Sequence, residues 1–250
     1  MDNTRRFDGY ADDYAAGRPD YAEELIDLLY DRYGLTSASV IADIGSGTGK
    51  FSEQLLKRGS TVWSVEPGED MRRAAEKVLC TYERSRSVKG DAEHTTLSDG
   101  SVDAVTAAQA FHWFDTEKFR RECERILRTG GPVILVWDLR DPSDPLTTEL
   151  HKIYTRYCPR FAGFSGGITE DDPRIRSFFG GKYDHVSFPH PLQYDRPKFI
   201  SRCLSGSYSL RSGDTGYTDY IAALDDMFDR YARDGIVALG NSSDAYIGRI

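Results

Sequence analysis

Val40-Ile41-Ala42-Asp43-Ile44-Gly45-Ser46-Gly47-Thr48-Gly49-Lys50-Phe51 decides how the rest of the chain is read, because an apolar run breaks into alternating glycines and then resumes with helical spacing. The pattern is strand, turn, helix. Glycine at 45 and 47 admits backbone dihedrals closed to other residues and leaves no side chain to hold a ligand off the main chain. A ligand can rest there on bare backbone, at the positive end of the following helix. Spacing excludes two familiar glycine loops. The phosphate-cradling GxxxxGK[ST] needs one more residue before Gly49-Lys50 and a hydroxyl where Phe51 stands; the dinucleotide GxGxxG needs a glycine where Lys50 stands.

Around this stretch, strands and helices alternate. Strands are expected over 40–44, 61–66, 86–89, 103–108 and 132–137, and helices over 47–58, 69–80 and 115–128. Such alternation implies a doubly wound α/β sheet, mostly parallel and covered on both faces. Val133-Ile134-Leu135-Val136-Trp137 is apolar throughout, as a strand buried on both sides must be. Before the core, Leu25, Ile26, Leu28 and Leu29 mark an amphipathic helix ending near Gly34. Beyond Asp138 the pattern loosens. Pro142, Pro145, Pro159, Pro173 and Gly166-Gly167 punctuate an irregular or helical insertion, a cap over 139–182. Residues 183–194 read as a late, antiparallel strand, 197–204 and 217–232 as helices, and the stretch from Gly235 to Ile250 as a final strand or hairpin. The organisation expected is a core at 1–138 with a lid at 1–34, the cap at 139–182, and a third segment at 183–250 that completes the sheet.

Composition narrows the partners. With 250 residues, 39% hydrophobic and 29% charged, the chain is long enough for a sizeable core. Its formal net charge of -8 argues against non-specific nucleic-acid binding, which needs a basic face. Cys80, Cys123, Cys158 and Cys203 are scattered, which suggests reduced structural thiols rather than zinc or disulfide pairs. His94, His151, His185 and His190 lack ligand spacing, so no metal is expected. No apolar run approaches the roughly 20 residues a bilayer requires, and no apolar stretch follows the charged start Met1-Asp2-Asn3-Thr4-Arg5-Arg6-Phe7. A cytoplasmic, membrane-free protein, monomeric or homodimeric, is the expectation.

Three stretches give the glycine loop a context. Glu66-Pro67 ends the second strand, about 20 positions after the glycines, where a carboxylate can accept both hydroxyl protons of a ribose. The other candidate role for Glu66 is to cap the helix starting near Gly68. Lys89-Gly90-Asp91-Ala92-Glu93 ends the third strand, with a carboxylate and a backbone edge that suit an adenine ring. Gln109-Ala110-Phe111-His112-Trp113-Phe114 leaves the fourth strand at the carboxyl edge, where open α/β sheets bind ligands. Its aromatic cluster needs something to cover.

Together these motifs resemble the class I S-adenosylmethionine (SAM) dependent methyltransferases, in the small-molecule branch that includes trans-aconitate and menaquinone or ubiquinone methyltransferases. The likeness spans residues 7–137 with gaps, and Asp138 departs from the asparagine expected after the tryptophan. It implies SAM as cofactor, S-adenosylhomocysteine as product and a small-molecule acceptor as partner. Carried over residue by residue, the cofactor would be held by Tyr14, Arg18, Asp43, Gly45, Ser46, Gly47, Thr48, Glu66, Pro67, Met71, Asp91, Ala92, Glu93, Gln109, Ala110 and Phe111. Tyr10 and Tyr14 belong to the segment Phe7 to Tyr21, which resembles a lid. For the acceptor, Tyr10, Trp113, Trp137, Arg140 and Tyr208 are candidates, with Tyr154, Phe161 and Phe164 as further aromatic walls. His112 is the candidate base for an acceptor that carries a proton; a carboxylate acceptor would need none and would be oriented by Arg18 or Arg140. Two other functions stay open: a non-catalytic SAM or S-adenosylhomocysteine sensor, and a nicotinamide-dependent oxidoreductase.

Overall fold

The computed structural model describes residues 20–164, 172–206 and 208–250. Phe7, Tyr10, Tyr14, Arg18 and Gly166-Gly167 lie outside them. The chain runs through helix α1 (Glu23–Arg32), strand β1 (Val40–Ile44), α2 (Lys50–Lys57), β2 (Thr61–Val65), α3 (Glu69–Leu79), β3 (Ser85–Val88), β4 (Ala104–Ala108), a 3-10 turn (Phe111–Trp113), α4 (Thr116–Ile126) and β5 (Val133–Arg140). It continues through α5 (Pro145–Tyr157), α6 (Pro173–Phe178), β6 (Tyr183–Pro189), β7 (Leu192–Tyr194), α7 (Arg196–Leu204), α8 (Tyr217–Tyr231), β8 (Val237–Leu239) and β9 (Asn241–Gly248).

Seven strands form the main sheet in the order β3-β2-β1-β4-β5-β9-β6. Pairing is parallel from β3 through β5, and β9 runs antiparallel to both of its neighbours. Strand alternation sends side chains to two cores. Val133, Leu135 and Trp137 join one cluster with Phe119, Cys123 and Ile126 of α4 and Ile175 and Phe178 of α6. Ile134 and Val136 join the other, with Leu25, Ile26 and Leu29 of α1, Phe51 and Leu55 of α2, and Ala75 and Leu79 of α3. A period of two along each strand and buried faces on both sides produce this division.

Three local readings of the sequence are corrected. The stretch 183–194 is not one strand: β6 belongs to the main sheet, whereas β7 pairs with β8 in a separate two-stranded sheet. Pro189 and Pro191 flank the break, and a proline has no N–H to give a ladder. The C-terminal stretch, read as a final strand or a hairpin, holds the final strand β9 but no hairpin. Strands β8 and β9 part at Gly240, whose N–H donates to Asp144 Oδ2 at 2.7 Å, and each enters a different sheet. Finally, β5 runs to Arg140, beyond Trp137, because β9 pairs with it residue for residue from Val133↔Gly248 to Arg140↔Asn241.

The prolines after Asp138 mark helix starts as much as breaks. Asp144 accepts from the Leu146 N–H ahead of Pro145, and Asp172 accepts from the Arg174 N–H ahead of Pro173. Asp195 does the same for Lys198, with Pro197 in the first turn. An N-capping carboxylate plus a proline preset at helical φ nucleates each helix. Helices α5, α7 and α8 and strands β7 and β8 build a third core around Leu150, Tyr154, Phe199, Tyr220, Leu224 and Met227. Helix α6, which lies in the same proline-rich region, packs on the main sheet instead.

Phe119 anchors the α4 side of the sheet, fully buried, with its ring stacked on Phe178 at 5.4 Å and edge-on to Phe114 at 4.9 Å. Phe119→Ala should cost about 3–5 kcal/mol and lower the thermal midpoint by about 10 °C, read by calorimetric unfolding. Val78→Ala, at a position 45% exposed, should change stability by less than about 0.5 kcal/mol.

Candidate functional site

Strand order reverses at β1. The chain leaves β1 for β2 on one side and later returns to place β4 on the other, so the carboxyl ends of β1 and β4 open the crevice in which such sheets bind ligands. The glycine loop sits at this point. Gly45, Gly47 and Gly49 all have positive φ, at 67°, 55° and 82°. At Gly45 the constraint is also spatial: an added Cβ would stand 2.7 Å from the Ala110 Cβ and 3.2 Å from the Phe114 ring. The loop therefore lies tight against the segment that follows β4.

Below the loop a buried carboxylate ties three elements together. Asp43 Oδ2 accepts from Ser52 Oγ of α2 at 2.6 Å, and Oδ1 accepts from Thr106 Oγ1 of β4 at 2.8 Å. Ser64 of β2 in turn donates to Ser52 Oγ at 2.9 Å. Asp43 stands directly opposite Ser64 and Thr106 in the strand register, so one polar row crosses three strands. Burial pushes the Asp43 carboxyl up to about 6, against the opposing effect of the two hydroxyls. Its groups are all engaged internally, which makes Asp43 a brace beneath the loop. Ser52, Ser64 and Thr106 were missed in the sequence; the signal was there, as polar residues in strands and a helix face otherwise apolar.

Glu66 braces the loop from the next strand end. Its Oε2 accepts from the Gly47 N–H at 2.9 Å and its Oε1 from the Gly68 N–H at 2.8 Å, so Glu66 ties the loop to the turn ahead of α3, whose N-cap Gly68 itself has no side-chain cap. Burial raises its carboxyl, while these two amides pull it down. Each oxygen keeps a lone pair, so bracing and ligand binding are compatible. Asp91 closes its own turn, accepting at Oδ1 from the Glu93 and His94 amides, and leaves Oδ2 for another partner. Glu93 accepts from the Asp115 N–H, and Met71 and Ala92 are buried beside these turns.

The segment after β4 divides into support and surface. Gln109 carries φ of 56°, an uncommon and strained value for a residue with a side chain, and its Nε2 donates to the Asp138 carbonyl at 2.9 Å. Phe111, expected against the cofactor, is instead fully buried: Phe114, Phe119, Trp137 and Phe178 surround its ring at 5.2–6.4 Å. Trp137, expected in the acceptor site, is likewise fully buried in that core, because odd positions of β5 face α4. His112 and Trp113 are half-buried at the crevice, their rings 4.5 Å apart. Pro67 is half-buried next to Glu66. Arg140 and Tyr208 lie farther along the same edge, Arg140 at the end of β5 and Tyr208 in the aromatic cluster of the third core. Tyr10, Tyr14 and Arg18 fall outside the described residues.

Two atoms of the loop test whether a ligand fits here. Ser46 Oγ and Thr48 Oγ1 are buried without a hydrogen-bond partner among the described residues. A buried orphan hydroxyl is costly and rare, and two in one loop are what a polar ligand on the main chain would satisfy. The donors and acceptors match a nucleoside with a charged tail: hydroxyls and amides at the loop, a carboxylate at Glu66 and an Asp91 turn with a buried apolar floor. Among the described residues no group of three or more His, Cys, Asp or Glu side chains is arranged to hold a metal, and no helix is long and apolar enough to cross a membrane.

Residues 42–135 match the family described as a methyltransferase domain. Over 143 residues the chain is 38% identical to an uncharacterized methyltransferase of Mycobacterium tuberculosis, covering 57% of this chain and 56% of the relative. It is 33% identical over 146 residues to an uncharacterized methyltransferase-like protein of Schizosaccharomyces pombe, covering 58% and 56%. The chain thus matches about half the length of these curated relatives. Among solved structures, a candidate type II methyltransferase of Anaeromyxobacter dehalogenans superposes with a TM-score of 0.62 at 22% identity, over 93% of this chain and 97% of that one. The Bacillus subtilis protein YcgJ gives 0.57 at 17% identity, over 92% and 100%. At such identities the likeness is one of fold.

The Asp43 brace makes a signed prediction. Its carboxyl titrates higher in the folded chain (about 6) than in the unfolded one (3.8), so the folded state holds the extra proton between those values and loses stability as pH rises through them. Asp43→Asn removes this ionisation. In urea unfolding at pH 4, 5, 6 and 7, the stability of wild type relative to the variant should fall by up to about 3 kcal/mol from pH 4 to 6 and then level off. Parallel curves would show that Asp43 is not ionising against its surroundings.

Proposed function

Starting from the methyltransferase-domain match over residues 42–135, we propose that this chain is a class I SAM-dependent methyltransferase that transfers a methyl group from SAM to a small-molecule acceptor. The observation that carries the reading is the pair of buried hydroxyls at Ser46 and Thr48, unpartnered among the described residues and set on a glycine loop at the switch point of the sheet. Bound there, SAM would supply a methyl carbon on its sulfonium; an acceptor's nucleophilic atom would attack that carbon in line, the new bond forming as the carbon–sulfur bond breaks and the thioether S-adenosylhomocysteine leaves.

The chain's own residues then have separable tasks. Gly45 and Gly47 bring bare backbone to the ligand, and Ser46 and Thr48 turn their hydroxyls to its polar tail. Glu66, already fixed by the Gly47 and Gly68 amides, accepts from the ribose hydroxyls without having to reorganise. Asp91 Oδ2 takes the adenine amine, with Met71 and Ala92 supplying apolar contact. Because the developing charge is dispersed rather than created, alignment and water exclusion are what the protein must provide, and the half-buried His112-Trp113 pair lines the approach. Where the acceptor carries a proton, His112 is the group at the crevice whose ordinary pKa suits its removal.

Two measurements test this reading. In calorimetry the chain should bind S-adenosylhomocysteine and not NAD, and Glu66→Ala should weaken the former at least about thirtyfold, two charge-assisted hydrogen bonds being at stake. Binding of NAD alone would replace this function with a nicotinamide chemistry. Binding without methyl transfer to any acceptor in a broad panel would favour a sensor. His112→Ala should lower turnover at least about tenfold while leaving S-adenosylhomocysteine affinity near normal. Unchanged turnover would remove His112 from the reaction.

A further inference from the structure

A second polar cluster lies at the carboxyl end of β5, one strand over from His112. Asp138 and Arg140 occupy alternate positions of β5 and so share a sheet face, with Asn241 of β9 directly opposite Arg140. Arg202 of α7 reaches into the cluster, its side chain only 7% exposed, and Nη2 donates to Asp138 Oδ2 at 3.3 Å. Asn241 Nδ2 donates to Asp138 Oδ1 at 2.5 Å. The cluster touches the candidate methyl-transfer site through Gln109, whose Nε2 holds the Asp138 carbonyl.

Charge and hydrogen bonding there do not balance. Among the described residues Asp138 is paired with Arg202, and Arg140 forms no ion pair, so its permanent charge has no contacting carboxylate. That the three charges converge is seen at Tyr194: its hydroxyl, raised by burial, feels Arg202, Asp138 and Arg140 together. Donors are also left over. Arg140 Nη1 and Arg202 Nε are buried with no acceptor among the described residues. The remaining surroundings are aromatic. The Arg140 guanidinium lies 4.7 Å over the Phe164 ring, and Phe161 contacts Phe164 at 5.2 Å and Tyr208 at 4.8 Å. All three rings are half-buried.

We propose that the methyl acceptor is a small carboxylate, anchored at its anionic end by Arg140 with Arg202 behind it, and lying with its apolar body on Phe161, Phe164 and Tyr208. This rests on the methyl-transfer reading above and names its substrate class. A carboxylate would give Arg140 the counter-charge and its Nη1 the acceptor that are lacking among the described residues, and the planar fork of a guanidinium matches the two oxygens of a carboxylate. Arg202, tied to Asp138, sets the field; Arg140, whose other contact is a ring face, is the group left to grip. The carboxylate is the handle and fixes the orientation of the rest of the acceptor toward the strand end that carries His112.

Paired acids and amides of equal shape test it. Benzoate with benzamide, phenylacetate with phenylacetamide and hexanoate with hexanamide would be titrated by calorimetry into the full chain loaded with S-adenosylhomocysteine. At least one acid should bind about tenfold or more tightly than its amide. Arg140→Ala should abolish that preference and leave S-adenosylhomocysteine affinity within about threefold, and Arg140→Lys should keep only part of it. Far-ultraviolet circular dichroism and a thermal midpoint near wild type certify both variants as folded. Equal binding of acids and amides, no binding of any acid, or a preference that survives in Arg140→Ala would each overturn the carboxylate assignment while leaving methyl transfer standing. Should S-adenosylhomocysteine itself fail to bind, the methyl-transfer reading falls, and the same titrations without it still decide whether Arg140 holds an anion.

Discussion

The site hangs on one buried carboxylate. Asp43 lies in the middle of the sheet at the strand where the winding reverses, and it accepts from Ser52 on α2 and Thr106 on β4. Burying a carboxylate is expensive unless hydrogen bonds compensate it, so the arrangement is tolerated only while β1, β4 and α2 keep their mutual positions. That requirement fixes the register of the two strands whose ends form the crevice. It also fixes the start of the helix whose amides face it. The glycine loop is held rigid from below by this brace and from the side by Glu66, and so can present bare backbone without collapsing.

Rigidity and openness are distributed along the loop in a consistent way. The groups that could satisfy one another do so: Asp43 with two hydroxyls, Glu66 with two amides, Asp91 with its own turn. Ser46 Oγ and Thr48 Oγ1 are the loop hydroxyls left without a partner among the described residues. Strain follows the same division. Gln109 holds a left-handed backbone where β4 meets the crevice, and its side chain connects that point to Asp138. The crevice and the arginine cluster are thereby joined by a single side chain.

The carboxyl end of β5 explains a departure in the sequence. At 138 the chain has Asp rather than the Asn expected after the tryptophan, and the structure supplies the partner that makes a charge useful there: Arg202, 64 residues away. An asparagine would leave Arg202 buried without a counter-charge, a costly state. The same pairing brings α7 over the sheet edge and, with it, the aromatic cluster around Tyr154 and Phe161. Phe111 and Trp137 illustrate the converse. Both are candidate site residues by sequence, yet both pack in the hydrophobic core beneath the crevice, because strand alternation and the 3-10 turn send them inward.

The sequence by itself determined the sheet, the winding and the corners of the candidate cofactor site, since these rest on local signals: apolar runs of period two, glycines at a turn, an acid at the next strand end. Gly45, Glu66, Asp91 and His112 all stand at strand ends where those signals placed them. It could not determine which residues far apart in the chain meet. Whether 183–194 makes one strand or two, whether β8 and β9 form a hairpin, and which arginine answers Asp138 depend on long-range pairing that no local pattern encodes. Only the tertiary structure decided those, because a strand takes its partner, and a buried charge its counter-charge, from whatever the packed core brings within hydrogen-bond reach.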